Sequence, residues 1–337
     1  MPNLDWKNLG FEYRKTRCYL TAECKNGKWG ALKTHTDPHI SLHIGATCLH
    51  YGQACFEGLK AFSQKKGGVA VFRPRANAQR MVDTAHRIVM TPPPVDLFVK
   101  AVKKGVRENI DYVPPFGTGA SLYIRPLLIG VTPRVGLQPA DDYLFIVLVT
   151  PAGPYYKGGF IPVRAMVQDK FDRAAPRGVG NVKVAGNYAA GLLGGIETKK
   201  AGYSVDLYLD SGERRFVDEF GTSNFLGITK EGVYVTPDSL SVLPSITNLS
   251  LQQLARDLGH RVEKRRITLA ELSHFAEVAA CGTAAVITPV YSITYGRTVF
   301  TFGKKDKAGE TLTKLYTTLQ GIQYGELPDR HGWMEKV

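Results

Sequence analysis

Short apolar runs alternate with stretches of helical periodicity along this chain. VAVF at 69–72, SLYIRPLLIG at 121–130 and YLFIVLVT at 143–150 are rich in β-branched and aromatic residues and predict strands. Between the first two lie helical stretches at about 75–90 and 95–109. The first stops before the prolines at 92–94 and the second before VPPFG at 113–117. Proline lacks an amide donor and clashes with the preceding turn, so such clusters end helices. PAGPYYKGG at 151–159 is dense in turn formers and marks an interdomain linker. Beyond it, short strands are expected at 161–167, 205–209, 216–217, 225–228, 233–236, 261–267, 278–281 and 285–288. Helices are expected at about 245–259 and 311–322, although Ile246, Leu249, Leu251, Leu254 and Leu258 fit a helical stripe only loosely. Both halves mix strands and helices, so the fold class is α/β (α+β), with a small N-terminal domain over 1–150 and a larger domain over 160–337.

A length of 337 residues makes two domains the default. The 44% hydrophobic and 22% charged composition excludes a disordered, collagenous or membrane-spanning chain. The longest apolar run, YLFIVLV at 143–149, is far shorter than the ~20 residues of a membrane helix. MPNLDWKNLGFEYRK at the start lacks an apolar core, so neither a signal nor a transit peptide is expected. Cys18, Cys24, Cys48, Cys55 and Cys281 form no C-x-x-C pair and read as reduced thiols, which together with the start predicts a cytoplasmic protein.

Charge changes the picture most. With 43 Lys+Arg against 30 Asp+Glu, the net of +13 suggests nucleic acid, an anionic surface or small acidic substrates. The basic clusters at 103–104, 264–266 and 304–307 lack interleaved aromatics and read as solvated faces, so no nucleic-acid partner is expected. There is no P-loop, no H-E-x-x-H and no G-x-S-x-G, and GVGNVK at 178–183 lacks the third glycine of a dinucleotide fingerprint. His35, His39 and His43 are spaced four apart, but Pro38 interrupts them, and they read as ordinary histidines rather than metal ligands.

Three segments carry chemistry. KVAGNY at 183–188 sets a lysine among small residues, which let a planar ligand approach the backbone. EFGTSN at 219–224 joins a carboxylate to exposed backbone donors, and LPSITN at 243–248 is a proline-marked entry into a helix. A helix N-terminus binds phosphate, though Ser245 would equally serve as a plain N-cap. Taken singly, these read as a surface charge, a turn and a cap. In order with LHYGQACFEGLKAF (49–62), NAQRM (77–81), SLYIRPLLIG (121–130), KVAGNYAA (183–190), DEFGTSNFLGI (218–228), ACGTAAVITPV (280–290) and GIQYGE (321–326), they give a chain that resembles the branched-chain amino acid aminotransferases, pyridoxal-phosphate enzymes of fold type IV.

The resemblance implies pyridoxal 5′-phosphate as cofactor and Lys183 as the catalytic residue, forming the Schiff base and then shuttling a proton as general base and acid. It places this lysine in the larger, C-terminal domain. Glu219 matches the partner of the pyridine nitrogen; strand alternation sends the neighbouring Asp218 to the opposite face. Tyr188 corresponds to the tyrosine on the phenolic oxygen. Arg80, the backbone amides of Ile246 and Thr247, and the Thr283 hydroxyl would hold the phosphate. Tyr123 and Arg125, two apart and so on one strand face, correspond to the substrate-recognition pair. Phe56, Tyr155 and Tyr188 would line the apolar pocket, Tyr51 would reach in from a second subunit of a homodimer, and the α-carboxylate would sit near Thr283 and Ala284 with Thr222 beside it.

The implied activity is reversible transfer of the amino group of L-leucine, L-isoleucine or L-valine to 2-oxoglutarate. The alternatives are another fold type IV enzyme (a D-amino acid aminotransferase or aminodeoxychorismate lyase), disfavoured by YIR at 123–125 and by length, and a basic nucleic-acid binder, suggested by charge alone. Some family members carry a C-x-x-C switch after the Gly-Thr pair. TAAVIT at 283–288 has no cysteine, so no disulfide regulation is expected there.

Overall fold

The two longest apolar runs pair with each other. Ser121–Gly130 and Tyr143–Ala152 lie antiparallel over their full length, with Ser121 opposite Ala152 and Gly130 opposite Tyr143. Around them a sheet runs in the order Met334–Lys336, Val69–Phe72, Leu59–Ser63, Ser121–Gly130, Tyr143–Ala152, Tyr19–Lys25, Lys28–Trp29. Lys33–His35 pairs with Tyr19–Lys25, and Ala54–Phe56 pairs with Ser121–Gly130. Period-two alternation gives the sheet two faces. Leu122, Ile124 and Leu128 pack with Phe145 and Val147 against Met81, Ala85, Phe98, Val102 and Val106 of helices Pro74–Arg87 and Val95–Glu108. By the same alternation, Tyr123 and Arg125 point to the other face.

A second sheet runs Val217–Phe220, Val205–Leu209, Val163–Val167, Val286–Tyr295, Phe275–Gly282, Ser223–Thr229, Tyr234–Pro237, Val262–Arg265. Its first strand also pairs with Ser223–Thr229, which closes the first six strands into a ring. Closure removes the unpaired edges that an open sheet would present. Val167, Leu207, Phe220, Phe225, Phe275 and Ile293 belong to its core. Helices Leu192–Lys200, Ile246–Asp257 and Glu310–Gln323 accompany it.

This computed structural model describes residues 4–153 and 160–337. They form two compact units: residues 4–153 with Val182–Gly186 and Gly321–Val337, and residues 160–181 with Asn187–Gln320. Two parts of the sequence reading change. The lysine segment belongs to the first unit, not to a C-terminal domain over 160–337, because backbone pairing ties it there. Val184 bridges Cys55, the Ala185 amide donates to the Ala54 carbonyl at 3.1 Å, and the Phe56 amide donates to the Lys183 carbonyl at 3.2 Å. The chain end also returns to the first unit, where Met334 pairs with Phe72 and Lys336 with Ala70. The expected linker at 151–159 begins inside a strand, since Tyr143–Ala152 continues through Pro151, and residues 154–159, Tyr155 among them, lie outside the described residues.

Candidate active site

In the first unit the Phe56 ring is the centre of a cluster. Lys183 Nζ lies 4.8 Å from its centroid and the Arg125 guanidinium carbon 4.6 Å. Arg125 Nη2 donates to the Tyr123 hydroxyl at 2.9 Å, so the strand alternation does put this pair on one face. The hydroxyl has room because residue 58 is glycine: a Cβ there would stand 2.3 Å from it. Arg125 Nε is buried without a hydrogen-bond partner among the described residues. A buried, unsatisfied donor beside an apolar ring suits a ligand that brings its own acceptor. The Lys183 amide donates to Thr84 Oγ1 at 3.1 Å, which binds the lysine to helix Pro74–Arg87.

Arg80 lies one turn before Thr84 on that helix and is buried. Its Nε and Nη2 each donate to Glu57, whose side chain is fully buried, at 2.8 Å to Oε1 and Oε2. Sequence reasoning missed Glu57, although it stands within the quoted block LHYGQACFEGLKAF. Tyr51 stands apart from this cluster. It is 41% exposed at the end of helix Thr47–Tyr51, and its hydroxyl donates to the Val135 carbonyl.

In the second unit Glu219 is the centre. It sits where the ring of strands closes, opposite Asn224. Its Oε1 accepts from the Leu243 amide at 3.1 Å and from Arg173 Nη1 at 2.7 Å, and its Oε2 accepts from Asn224 Nδ2 at 2.7 Å. Burial pushes the Glu219 carboxyl above the usual range, while the Arg173 charge and the bonds from Leu243 and Asn224 pull it down. Asp218 is buried as well, because this strand is covered on both faces, and burial also raises its carboxyl.

The Leu243 bond ties the carboxylate to the entry of helix Ile246–Asp257. Ser245 caps that helix by accepting from the Asn248 amide, and Ile246 and Thr247 supply its first, buried residues. Asn248 then closes a polar network. Its Nδ2 donates to Asn224 Oδ1 at 3.1 Å and to Thr236 Oγ1 at 2.9 Å, while Tyr234 donates to its Oδ1 at 2.7 Å. This network is why the apolar stripe reads loosely. Thr247, Asn248, Ser250 and Gln252 are buried, whereas Leu249 is exposed.

Thr222, Thr283 and Ala284 gather at the same end of the sheet. Asn224 pairs with Cys281, so the turn containing Thr222 adjoins the turn of Thr283 and Ala284. Val286, which ends that second turn, is buried with φ at +65°, a conformation uncommon for a β-branched side chain. Tyr188 is half-buried in the short helix Gly186–Ala190. Arg173, Asn224, Asn248 and Tyr234 were not singled out from the sequence. The two asparagines do stand in the quoted motifs, where polar residues among strand and helix apolar positions are the available signal.

A family model described as amino-transferase class IV matches residues 54–293. The chain belongs to the class IV aminotransferases. The matched stretch holds both clusters, with Tyr51 just before it. The branched-chain-amino-acid aminotransferase of Haemophilus influenzae is 44% identical over the whole of both chains, and that of Helicobacter pylori is 43% identical over all of this chain and 99% of the other. Among solved structures, branched-chain amino acid aminotransferase from Escherichia coli matches with a TM-score of 0.79 at 28% identity, covering 96% of this chain and 99% of that one. The branched-chain aminotransferase of the thermophilic archaeon Thermoproteus uzoniensis, solved with norvaline, matches at 0.77 and 25% identity, covering 94% of this chain and 99% of that one. The class IV fold and the resemblance drawn from the sequence blocks agree with these relatives. No helix among the described residues is long and apolar enough to cross a membrane.

Proposed function

We propose that this aminotransferase exchanges amino groups between branched-chain L-amino acids and 2-oxoglutarate with pyridoxal 5′-phosphate as cofactor. The observation that carries the reading is the Lys183–Phe56–Arg125–Tyr123 cluster, a lysine amine and a guanidinium against one phenyl ring. An apolar wall suits a leucine-like side chain, whose burial is worth about 1.5–3 kcal/mol. The Arg125–Tyr123 pair suits the second carboxylate of glutamate.

The side chains present fit the cofactor chemically. A lysine answers an aldehyde, a buried carboxylate with an arginine counter-ion answers a basic ring nitrogen, and Arg80 and the amides entering helix Ile246–Asp257 answer a phosphate. Arg125 Nε and Arg173 Nε are buried donors without partners among the described residues. When bound, the cofactor supplies an electron sink that acidifies the substrate Cα–H bond. Lys183 would anchor it, and its Nζ would act as the base and acid for the substrate Cα proton. Glu219, which accepts from Arg173 and Asn224, would face the ring nitrogen as its acidic partner. Thr283 adds a hydroxyl to the phosphate set and Tyr188 a hydroxyl to the phenolic oxygen. The turn at Thr222, Thr283 and Ala284 receives the α-carboxylate. Tyr155 is proposed for the apolar wall, and Tyr51 for the site of a second subunit in a homodimer. A cytoplasmic location completes the reading.

The test is borohydride reduction of the yellow holoenzyme followed by peptide mapping. The label is expected on Lys183, with loss of the visible band. A Lys183→Ala protein is expected to lose repeated turnover of leucine with 2-oxoglutarate; sustained turnover would overturn the assignment.

A further inference from the structure

Glu57 has no part in the proposed chemistry so far, yet among the described residues its pair with Arg80 is the most completely buried ion pair of the first unit. Glu57 is held before Arg80 reaches it. Its own amide donates to the Pro126 carbonyl at 2.8 Å, and the Gly58 amide donates to its Oε2 at 3.3 Å. Both of its oxygens then receive the Nε and Nη2 edge of Arg80. A fork of this kind fixes the guanidinium plane as well as its position.

Removing two charges from water to make such a pair gains little stability against an apolar replacement. Its location is more telling. Residue 56, next to Glu57, donates its amide to the Lys183 carbonyl, and Thr84, one turn beyond Arg80, accepts from the Lys183 amide. The pair is therefore bracketed by two hydrogen bonds that hold the lysine backbone.

We propose that Glu57 is the positioning residue for Arg80, fixing the plane and position of its guanidinium for the cofactor phosphate. The proposal rests on the reading of Arg80 as a phosphate ligand. Glu57 touches neither substrate nor cofactor; it acts through the arginine. Since it is itself an anion, its removal can act in two opposite directions. If it positions Arg80, phosphate binding weakens. If it merely competes with phosphate for the guanidinium, phosphate binding tightens.

The experiment is equilibrium dialysis of apoenzyme with pyridoxal 5′-phosphate and, separately, with pyridoxal, which lacks the phosphate. The proteins are wild type, Glu57→Gln, Arg80→Ala and the double variant. Glu57→Gln is expected to lose about ten- to hundredfold in affinity for the phosphorylated cofactor, the worth of a charge-assisted hydrogen bond, with pyridoxal affinity unchanged. In the Arg80→Ala background the same change is expected to cost nothing further. Equal losses for both ligands would mark Glu57 as merely structural and overturn the proposal, as would tighter phosphate binding. If Arg80→Ala keeps full selectivity for the phosphorylated form, the reading of Arg80 fails and the proposal with it. If Arg80→Ala loses selectivity and Glu57→Gln does not, only the proposal fails. Should Glu57→Gln not fold, Glu57→Asp retains the charge but is one methylene too short for the fork, and the same loss of selectivity is expected, with its retention overturning the proposal.

Discussion

Opposite charges held out of water recur at single residues of this protein. Glu57 holds Arg80 in one unit and Arg173 holds Glu219 in the other, so both groups proposed to meet the ionic ends of the cofactor carry a buried counter-ion. Lys60 lies in the first sheet. It is buried on strand Leu59–Ser63 opposite Tyr123, and burial lowers its amine from 10.5 to about 8. Below pH 8 the folded protein carries that ammonium at a cost. The cost is relieved as pH rises from about 8 to 10.5, where the unfolded chain still binds the proton and the folded one does not. Lys60→Met is therefore expected to be the more stable protein at pH 7, by roughly 2–4 kcal/mol. Its advantage is expected to shrink between pH 8 and 10.5. Urea unfolding of both proteins across that range checks this; a pH-independent difference would contradict it. The burial of these charges was not legible in the sequence, because it is defined by partners distant along the chain: Glu57 and Arg80 are 23 positions apart.

At the level of elements, the strands were the easiest to read. Val69–Phe72 and Ser121–Gly130 fall where apolar runs of β-branched and aromatic residues predict them. Leu59–Ser63 and Tyr19–Lys25 were missed, since each carries lysine or glutamate within a short run. Helix Ile246–Asp257 was placed from its proline and serine rather than from its stripe. Ser245 Oγ accepts from the Asn248 amide at 3.3 Å. Ser245→Ala is expected to cost about 1 kcal/mol of stability, measured by denaturant unfolding. It should also weaken cofactor binding, because the Ile246 and Thr247 amides begin at that cap. A variant with unchanged midpoint and unchanged affinity would argue that the Asn248 side-chain network alone fixes the helix start.

Over the whole chain, two compact units, each drawing on distant segments, replace the simple halves that the hydrophobic pattern suggests. The last residues matter to the first core. Trp333 packs edge-on against Phe72 at 5.8 Å, its carbonyl accepts from the Arg73 amide at 2.7 Å, and the Arg73 guanidinium lies 5.3 Å from its ring. These contacts sit at the entry of helix Pro74–Arg87, which carries Arg80 and Thr84. Trp333→Ala is expected to destabilise the protein by about 3–5 kcal/mol, the usual cost of a buried tryptophan. Calorimetry of the apoenzyme checks it, and an unshifted transition would show that the C-terminal strand is dispensable. The net charge of +13 finds little use in the two clusters, where Arg80, Arg125, Arg173 and Lys183 are the basic residues.

The sequence by itself determined the class of element along most of the chain, the family through its ordered blocks, and the side chains that bear reactive groups. Those are local properties: periodicity, turn chemistry and residue type are written in consecutive positions. The tertiary structure alone decided that Lys183 belongs with the first unit, that the second sheet closes beside Glu219, and that Glu57 and Arg173 stand behind the charged groups. Each of these depends on backbone pairing or on desolvated charge between residues far apart in sequence, and no window of consecutive residues carries that information.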